Sequence, residues 1–66
     1  PNPVETYLNL EFNEQPEHLS IIDSYGRKTK LTATNNLIDF RHVPQGSYIL
    51  LVEFKNTKNY FRIIKK

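Results

Sequence analysis

The stretch that most constrains this chain is Val43-Pro44-Gln45-Gly46-Ser47-Tyr48-Ile49-Leu50-Leu51-Val52-Glu53-Phe54. Pro44 presets φ for the second position of a tight turn, and Gly46 supplies the open or left-handed backbone that ends it. Beyond the turn, Tyr48, Leu50, Val52 and Phe54 recur at every second position, so they share one face of a strand. Ile49 and Leu51 share the other face. A strand apolar on both sides belongs at the centre of a sheet, with core on one face and partial cover on the other. Glu53 and Lys55 mark where the second face returns to water. Tyr48 is placed to bury its ring and hydrogen-bond its hydroxyl to backbone near Pro44, as in a tyrosine corner.

The rest of the chain predicts partners for that strand. Thr6–Phe12 alternates, with Leu8, Leu10 and Phe12 inward. Asn13–His18 is polar, contains Pro16 and reads as a loop. Leu19–Asp23 is a second strand with Leu19 and Ile21 on the core face, and Ser24-Tyr25-Gly26 turns the chain with Gly26 at positive φ. Arg27–Thr32 is polar and suits a sheet edge, where lysines discourage stray pairing. Ala33–Asn36 is a turn, where Asn can take the left-handed conformation, and Leu37–Phe40 is a short fourth strand. Ser47–Lys55 is the fifth and Tyr60–Lys65 the sixth, with Phe61 and Ile63 on one face and Tyr60, Arg62 and Ile64 on the other. The loop between them lacks glycine, which assigns any left-handed residue to Asn56 or Asn59. A seventh short strand fits Pro1–Val4 or the neighbourhood of Arg41.

Helix is disfavoured, because no segment sustains an i, i+3, i+4 pattern and Val, Ile, Thr, Tyr and Phe dominate the apolar runs. The fold class is therefore all-β: a small antiparallel Ig-like β-sandwich of six to seven short strands. Leu10, Phe12, Ile21, Tyr48, Leu50, Val52 and Ile63 form its expected core. Sixty-six residues allow one domain, at a size where the buried fraction is modest. There is no cysteine, so neither a disulfide nor a thiolate metal site is available. Four Tyr and four Phe must supply much of the core area. At about 25 cal/mol per Å², each well-buried Phe contributes roughly 2–3 kcal/mol.

Charge is unevenly spread. Residues 1–26 hold Glu5, Glu11, Glu14, Glu17 and Asp23 and no Lys or Arg, while residues 27–66 hold all nine basic residues against Asp39 and Glu53. That asymmetry serves either complementary charge between adjacent strands or a basic end presented to an acidic partner. The Glu-rich first half opposes nucleic-acid binding, and no run approaches the roughly 18 apolar residues of a membrane helix. Ser20, Ser24, Ser47, His18, His42, Asp23 and Asp39 supply the residue types of a catalytic triad, but none sits in a nucleophile motif. The histidines and carboxylates lack zinc-type spacing. No catalytic residue, metal ligand or cofactor is assigned. Asp23 and Asp39 stand at strand ends, where a carboxylate caps a turn. Tyr7 and Tyr25, if exposed, suit sugar stacking, which makes a carbohydrate-binding β-sandwich module of a secreted enzyme the second functional reading.

Four motifs occur in order: Pro1-Asn2-Pro3; Asp23 with Gly26 and Arg27; Pro44, Gly46 and Tyr48; and the basic pair Lys65-Lys66 closing the last strand. In this order the chain resembles, over essentially its whole length, the type A C-terminal sorting domain of the type IX (Por) secretion system. The resemblance implies a single domain over residues 1–66, a fragment from the C-terminus of a longer secreted Bacteroidetes protein. Its cargo would lie N-terminal to it and reach the periplasm by a separate signal peptide. The type IX translocon would recognise the domain, and the cargo would cross to the cell surface or outside without direct membrane insertion. A cell-surface sortase typically removes such a domain, and the cargo is often attached to lipopolysaccharide. The domain is then a sortase substrate and not an enzyme. The resemblance makes the four motifs the signature, with Lys65 and Lys66 in recognition and dispensable for stability because they follow the last core residues. A terminal strand with a free edge docks by β-augmentation. Sparse glycine and the Asn-rich last hairpin depart from the family pattern.

Overall fold

The strand that is apolar on both faces lies between two others. In the computed structural model, which describes residues 4–66, the chain forms β1 (Tyr7–Asn9), β2 (His18–Ile22), β3 (Lys28–Lys30), β4 (Ala33–Thr34), β5 (Leu37–Asp39), β6 (Gly46–Glu53) and β7 (Lys58–Lys65). They build two antiparallel sheets, a four-stranded one in the order β3-β2-β6-β7 and a three-stranded one in the order β1-β5-β4. β3-β2-β6-β7 take the places of C′-C-F-G in an immunoglobulin-type sandwich, and β1-β5-β4 take those of B-E-D. The expected small Ig-like β-sandwich is what forms.

The faces separate as period two requires. Leu19 and Ile21 of β2, Leu50 and Val52 of β6 and Ile63 of β7 point inward against Leu8, Ile38 and Phe40 of the facing sheet. On the outer face Leu51 is also buried, and Ser20 beside it in register is buried too. The Lys28–Glu53 ion pair at 3.4 Å joins β3 to β6 across β2, and so passes over this face.

Several expectations are corrected. Leu10, Phe12 and Tyr48 are partly buried and pack against the core instead of lying inside it. β1 stops at Asn9 because its partner β5 has only three residues; the alternation of Leu10 and Phe12 continues, but no strand remains to pair with it. Phe12 meets Phe54 edge-on at 6.1 Å. The core centre falls instead on Ile38 and Phe40, both fully buried. The seventh strand is Ala33–Thr34, where a turn was expected, and Val4 makes one parallel bridge to Lys65. The left-handed asparagines expected in that segment are there, Asn35 (φ 52°) and Asn36 (φ 68°), in a two-residue hairpin of the kind whose twist suits its strands. Asn56 and Asn59 do not adopt that conformation; Phe54 N donates to Thr57 O and closes their loop without it.

Candidate functional site

The β2–β3 hairpin is held by one carboxylate. Asp23 Oδ1 accepts the backbone N–H groups of Tyr25 and Arg27, each at 2.9 Å, and Oδ2 accepts Arg27 Nε at 2.8 Å. Two main-chain bonds, Asp23 N to Arg27 O and Gly26 N to Asp23 O, complete the loop. The Arg27 backbone donor, with its guanidinium and the Tyr25 N–H, holds the Asp23 carboxyl below the usual range despite some desolvation. Gly26 supplies the positive φ, +83°, that the loop needs, as its spacing predicts. The Arg27 guanidinium carbon lies 5.5 Å from the centroid of the Tyr25 ring, which is 84% exposed.

The Pro44–Tyr48 turn is held by one hydroxyl. Tyr48 Oη donates to Pro44 O at 2.6 Å, so the tyrosine corner expected from the spacing is present at the start of β6. Gly46 has φ +154°, and a Cβ there would stand 3.6 Å from the Tyr48 ring. Bond and ring together fix where the chain enters the central strand.

Strand pairing then brings the motifs together. β2 reaches Ile22 opposite Ile49, and β7 reaches Lys65 opposite Gly46, so the Asp23–Arg27 hairpin, the Pro44–Tyr48 turn and the end of β7 share one end of the four-stranded sheet. An open groove of about 410 Å³ runs between the first two, lined by Asp23, Tyr25, Arg27, Pro44, Gly46 and Tyr48 among others. Pro1, Asn2 and Pro3 lie outside the described residues. Lys66 is exposed, but Lys65 is buried, against the expectation that both lysines follow the core. Lys65 shares the inward parity of Ile63, and Val4 lies beside it along the strand edge. Val4 N donates to Ile64 O at 2.7 Å, Lys66 N donates to Val4 O at 2.8 Å, and Lys65 Nζ donates to Lys66 O at 3.1 Å. The terminal edge of the last strand is thus occupied by Val4, not free.

Residues 1–66 match the sequence model of a family described as "Secretion system C-terminal sorting domain". The chain belongs to that family. No curated protein and no solved structure matches it. As a sorting domain of the type IX system it belongs to signals that are in general non-catalytic and that direct secretion to the cell surface or outside.

One feature of the sorting domain escaped the sequence reading in its full form. Asp39 Oδ1 accepts Arg41 N at 2.9 Å and Nε at 3.0 Å, and Oδ2 accepts Nη2 at 2.9 Å. The Arg41 guanidinium lies 5.5 Å from the centroid of the Tyr7 ring. Chiefly through the Arg41 side chain, then its backbone N–H, the Asp39 carboxyl is lowered to about 2. The available signal was an aspartate two positions before an arginine at a strand end. Tyr7 and Tyr25, the residues of the carbohydrate reading, are both exposed, but Tyr7 stands on β1 of the three-stranded sheet and Tyr25 in the β2–β3 hairpin of the four-stranded one, and each carries a guanidinium over its ring.

Proposed function

We propose that the sheet end built from the Asp23–Arg27 hairpin, the Pro44–Tyr48 turn and Lys66 is the surface by which the type IX translocon recognises this domain. The observation that supports it most is the convergence of motifs scattered over residues 23–66 onto one end of one sheet, with two of them forming a common groove. Residues 1–66 then act as a single non-catalytic C-terminal signal of a longer secreted protein, whose cargo precedes it. The cargo passes through the periplasm and crosses the outer membrane, after which a cell-surface sortase removes the domain. A cut upstream of Pro1-Asn2-Pro3 would leave every strand among the described residues intact, since the first of them begins at Tyr7. Pro1-Asn2-Pro3 would then open the released domain, just downstream of the cut.

Fusion behind an inert exported reporter tests this. In a type IX-competent host the reporter is expected outside the outer membrane, and Arg27→Ala is expected to hold it back while leaving the domain folded. Periplasmic retention of the unaltered fusion, with retention of the isolated domain on a polysaccharide affinity gel, would transfer the assignment to the carbohydrate reading.

A further inference from the structure

The two edges of the four-stranded sheet are unlike. β3 offers three residues, all exposed and two of them lysines. β7 offers eight, and Tyr60, Phe61 and Ile64 are among the exposed large apolar side chains. The bonds of Val4 to Ile64 O and Lys66 N show that residues 64 and 66 turn their main-chain groups away from β6. The β6–β7 register is unbroken from Gly46 opposite Lys65 to Glu53 opposite Lys58, so the alternation carries to Tyr60 and Lys58. Their N–H and C=O groups therefore also point off the sheet. Among the described residues nothing pairs with them.

A row of outward main-chain groups is a template for another strand. Beside this row, on the inner face, an open groove of about 340 Å³ is lined by Phe12, Phe54 and Phe61, with Glu11 and Glu14 also on its wall. On the outer face the row carries the cations of Lys58 and Arg62, which alternate with Phe61. A second copy fits poorly, because antiparallel pairing of two β7 edges about Tyr60 would set Lys58 of each copy directly against Arg62 of the other.

We propose that the β7 edge at Lys58 and Tyr60 accepts an extended segment of a partner protein as an added strand. Main-chain bonds would supply affinity and alternate side chains selectivity. The segment alternates apolar residues, one entering the Phe12–Phe54–Phe61 groove, with carboxylates that meet Lys58 and Arg62. The identity of the partner as a secretion component rests on the sorting-signal reading above; the edge chemistry does not.

Proline separates backbone from side chain here, since a strand tolerates it where the N–H faces away from the sheet. Tyr60→Pro deletes the outward donor, and Tyr60→Thr keeps it. The probe is a short synthetic peptide alternating glutamate and leucine, titrated into the isotopically labelled chain beside a lysine–leucine counterpart. The glutamate peptide is expected to shift and protect the amides of Lys58 and Tyr60. Tyr60→Pro should weaken it about tenfold or more, Tyr60→Thr much less, and the lysine peptide should not bind. Equal binding of both peptides, or shifts confined to other strands, overturns the proposal. So does a monomer–dimer equilibrium abolished by Tyr60→Pro, which would assign the edge to a second copy. Lys58→Pro, at the first residue of the strand, replaces Tyr60→Pro if the latter lowers the melting temperature substantially. In the reporter fusion, failure of the unaltered domain to export removes the sorting-signal reading. Normal export of both the unaltered fusion and a folded Tyr60→Pro fusion removes the edge proposal alone.

Discussion

Asp23 with Arg27 and Asp39 with Arg41 are built to one plan. In each, Oδ1 accepts the arginine's own backbone N–H, a guanidinium nitrogen closes on the carboxylate, and the guanidinium carbon sits 5.5 Å from the centroid of a tyrosine ring. They differ in where the tyrosine comes from. Tyr7 stands on β1 directly opposite Asp39, so the Arg41 set fastens one strand to the next. Tyr25 lies inside the same hairpin as Asp23, so the Arg27 set closes on itself and shows its aromatic and its cation to solvent. One chemistry makes a strut in one place and a displayed surface in the other. What decides is the strand pairing of the aromatic, which residue spacing does not contain.

The largest expected effect lies under the strut. Phe40 follows Asp39, is fully buried, and its N–H donates to Thr6 O at 2.8 Å. Phe40→Ala should cost about 3–5 kcal/mol, a large part of what a domain of this size holds in reserve. Thermal denaturation should show a broad or absent transition. The matching blow to the hairpin is smaller. A Cβ at Gly26 would meet nothing within 4 Å, so Gly26→Ala costs only the strain of its φ of +83°, about 1–2 kcal/mol. The hairpin variant should still melt cooperatively. If it unfolds as readily as Phe40→Ala, the hairpin is no mere display and the contrast between the two sets collapses.

These two sites also divide what was legible in the sequence from what was not. The central strand, the edge position of Arg27–Thr32, the positive φ of Gly26 and the Tyr48–Pro44 bond depend on residues within a few positions of one another. Period two and turn chemistry reach that far. The early end of β1, the strand at Ala33–Thr34 and the burial of Lys65 depend on which segment lies alongside. Lys65 shows this most simply: its charge placed it in water, while the pairing of β7 with β6 and Val4 placed it inward. Convergence of the Asp23–Arg27 hairpin, the Pro44–Tyr48 turn and the end of β7 on one sheet end has the same origin. The motifs were readable one by one, but the groove between the Asp23–Arg27 hairpin and the Pro44–Tyr48 turn required the register of β2 and β6, and the approach of Lys66 that of β7.

Acid sharpens the comparison. An aspartate in an unfolded chain titrates near 3.9, whereas folded Asp39 is lowered to about 2. A lowered folded pKa means that the charged carboxylate favours the native state above the unfolded value, and that this contribution is lost as pH falls toward the folded value. Stability should therefore decline from about pH 4 to about pH 2. Asp23 is shifted the same way, led by the Arg27 backbone donor. Asp39→Asn should flatten more of this decline than Asp23→Asn in melting temperatures recorded against pH. Equal flattening by the two would show that the strut has no advantage over the hairpin.

The smallest effect on stability should carry the clearest functional division. Tyr25 is 84% exposed and Tyr7 46% exposed, yet each has a guanidinium over its ring. Removing Tyr7 takes a layer from the β1–β5 pair, for which cross-strand contacts contribute about 0.2–1 kcal/mol and a cation–π contact at an exposed site about 0.5–1 kcal/mol. Removing Tyr25 takes only a contact internal to its turn and should stay near 0.5 kcal/mol. Tyr7→Ala should therefore lower the melting temperature more than Tyr25→Ala. Export of the fused reporter should follow the opposite order, because Tyr25 stands on the groove shared by the signature motifs. Reporter fractionation and melting, run on both variants, decide it. If export follows stability in both, the Arg27 hairpin supports the fold as Arg41 does, and the recognition surface lies elsewhere on the sandwich.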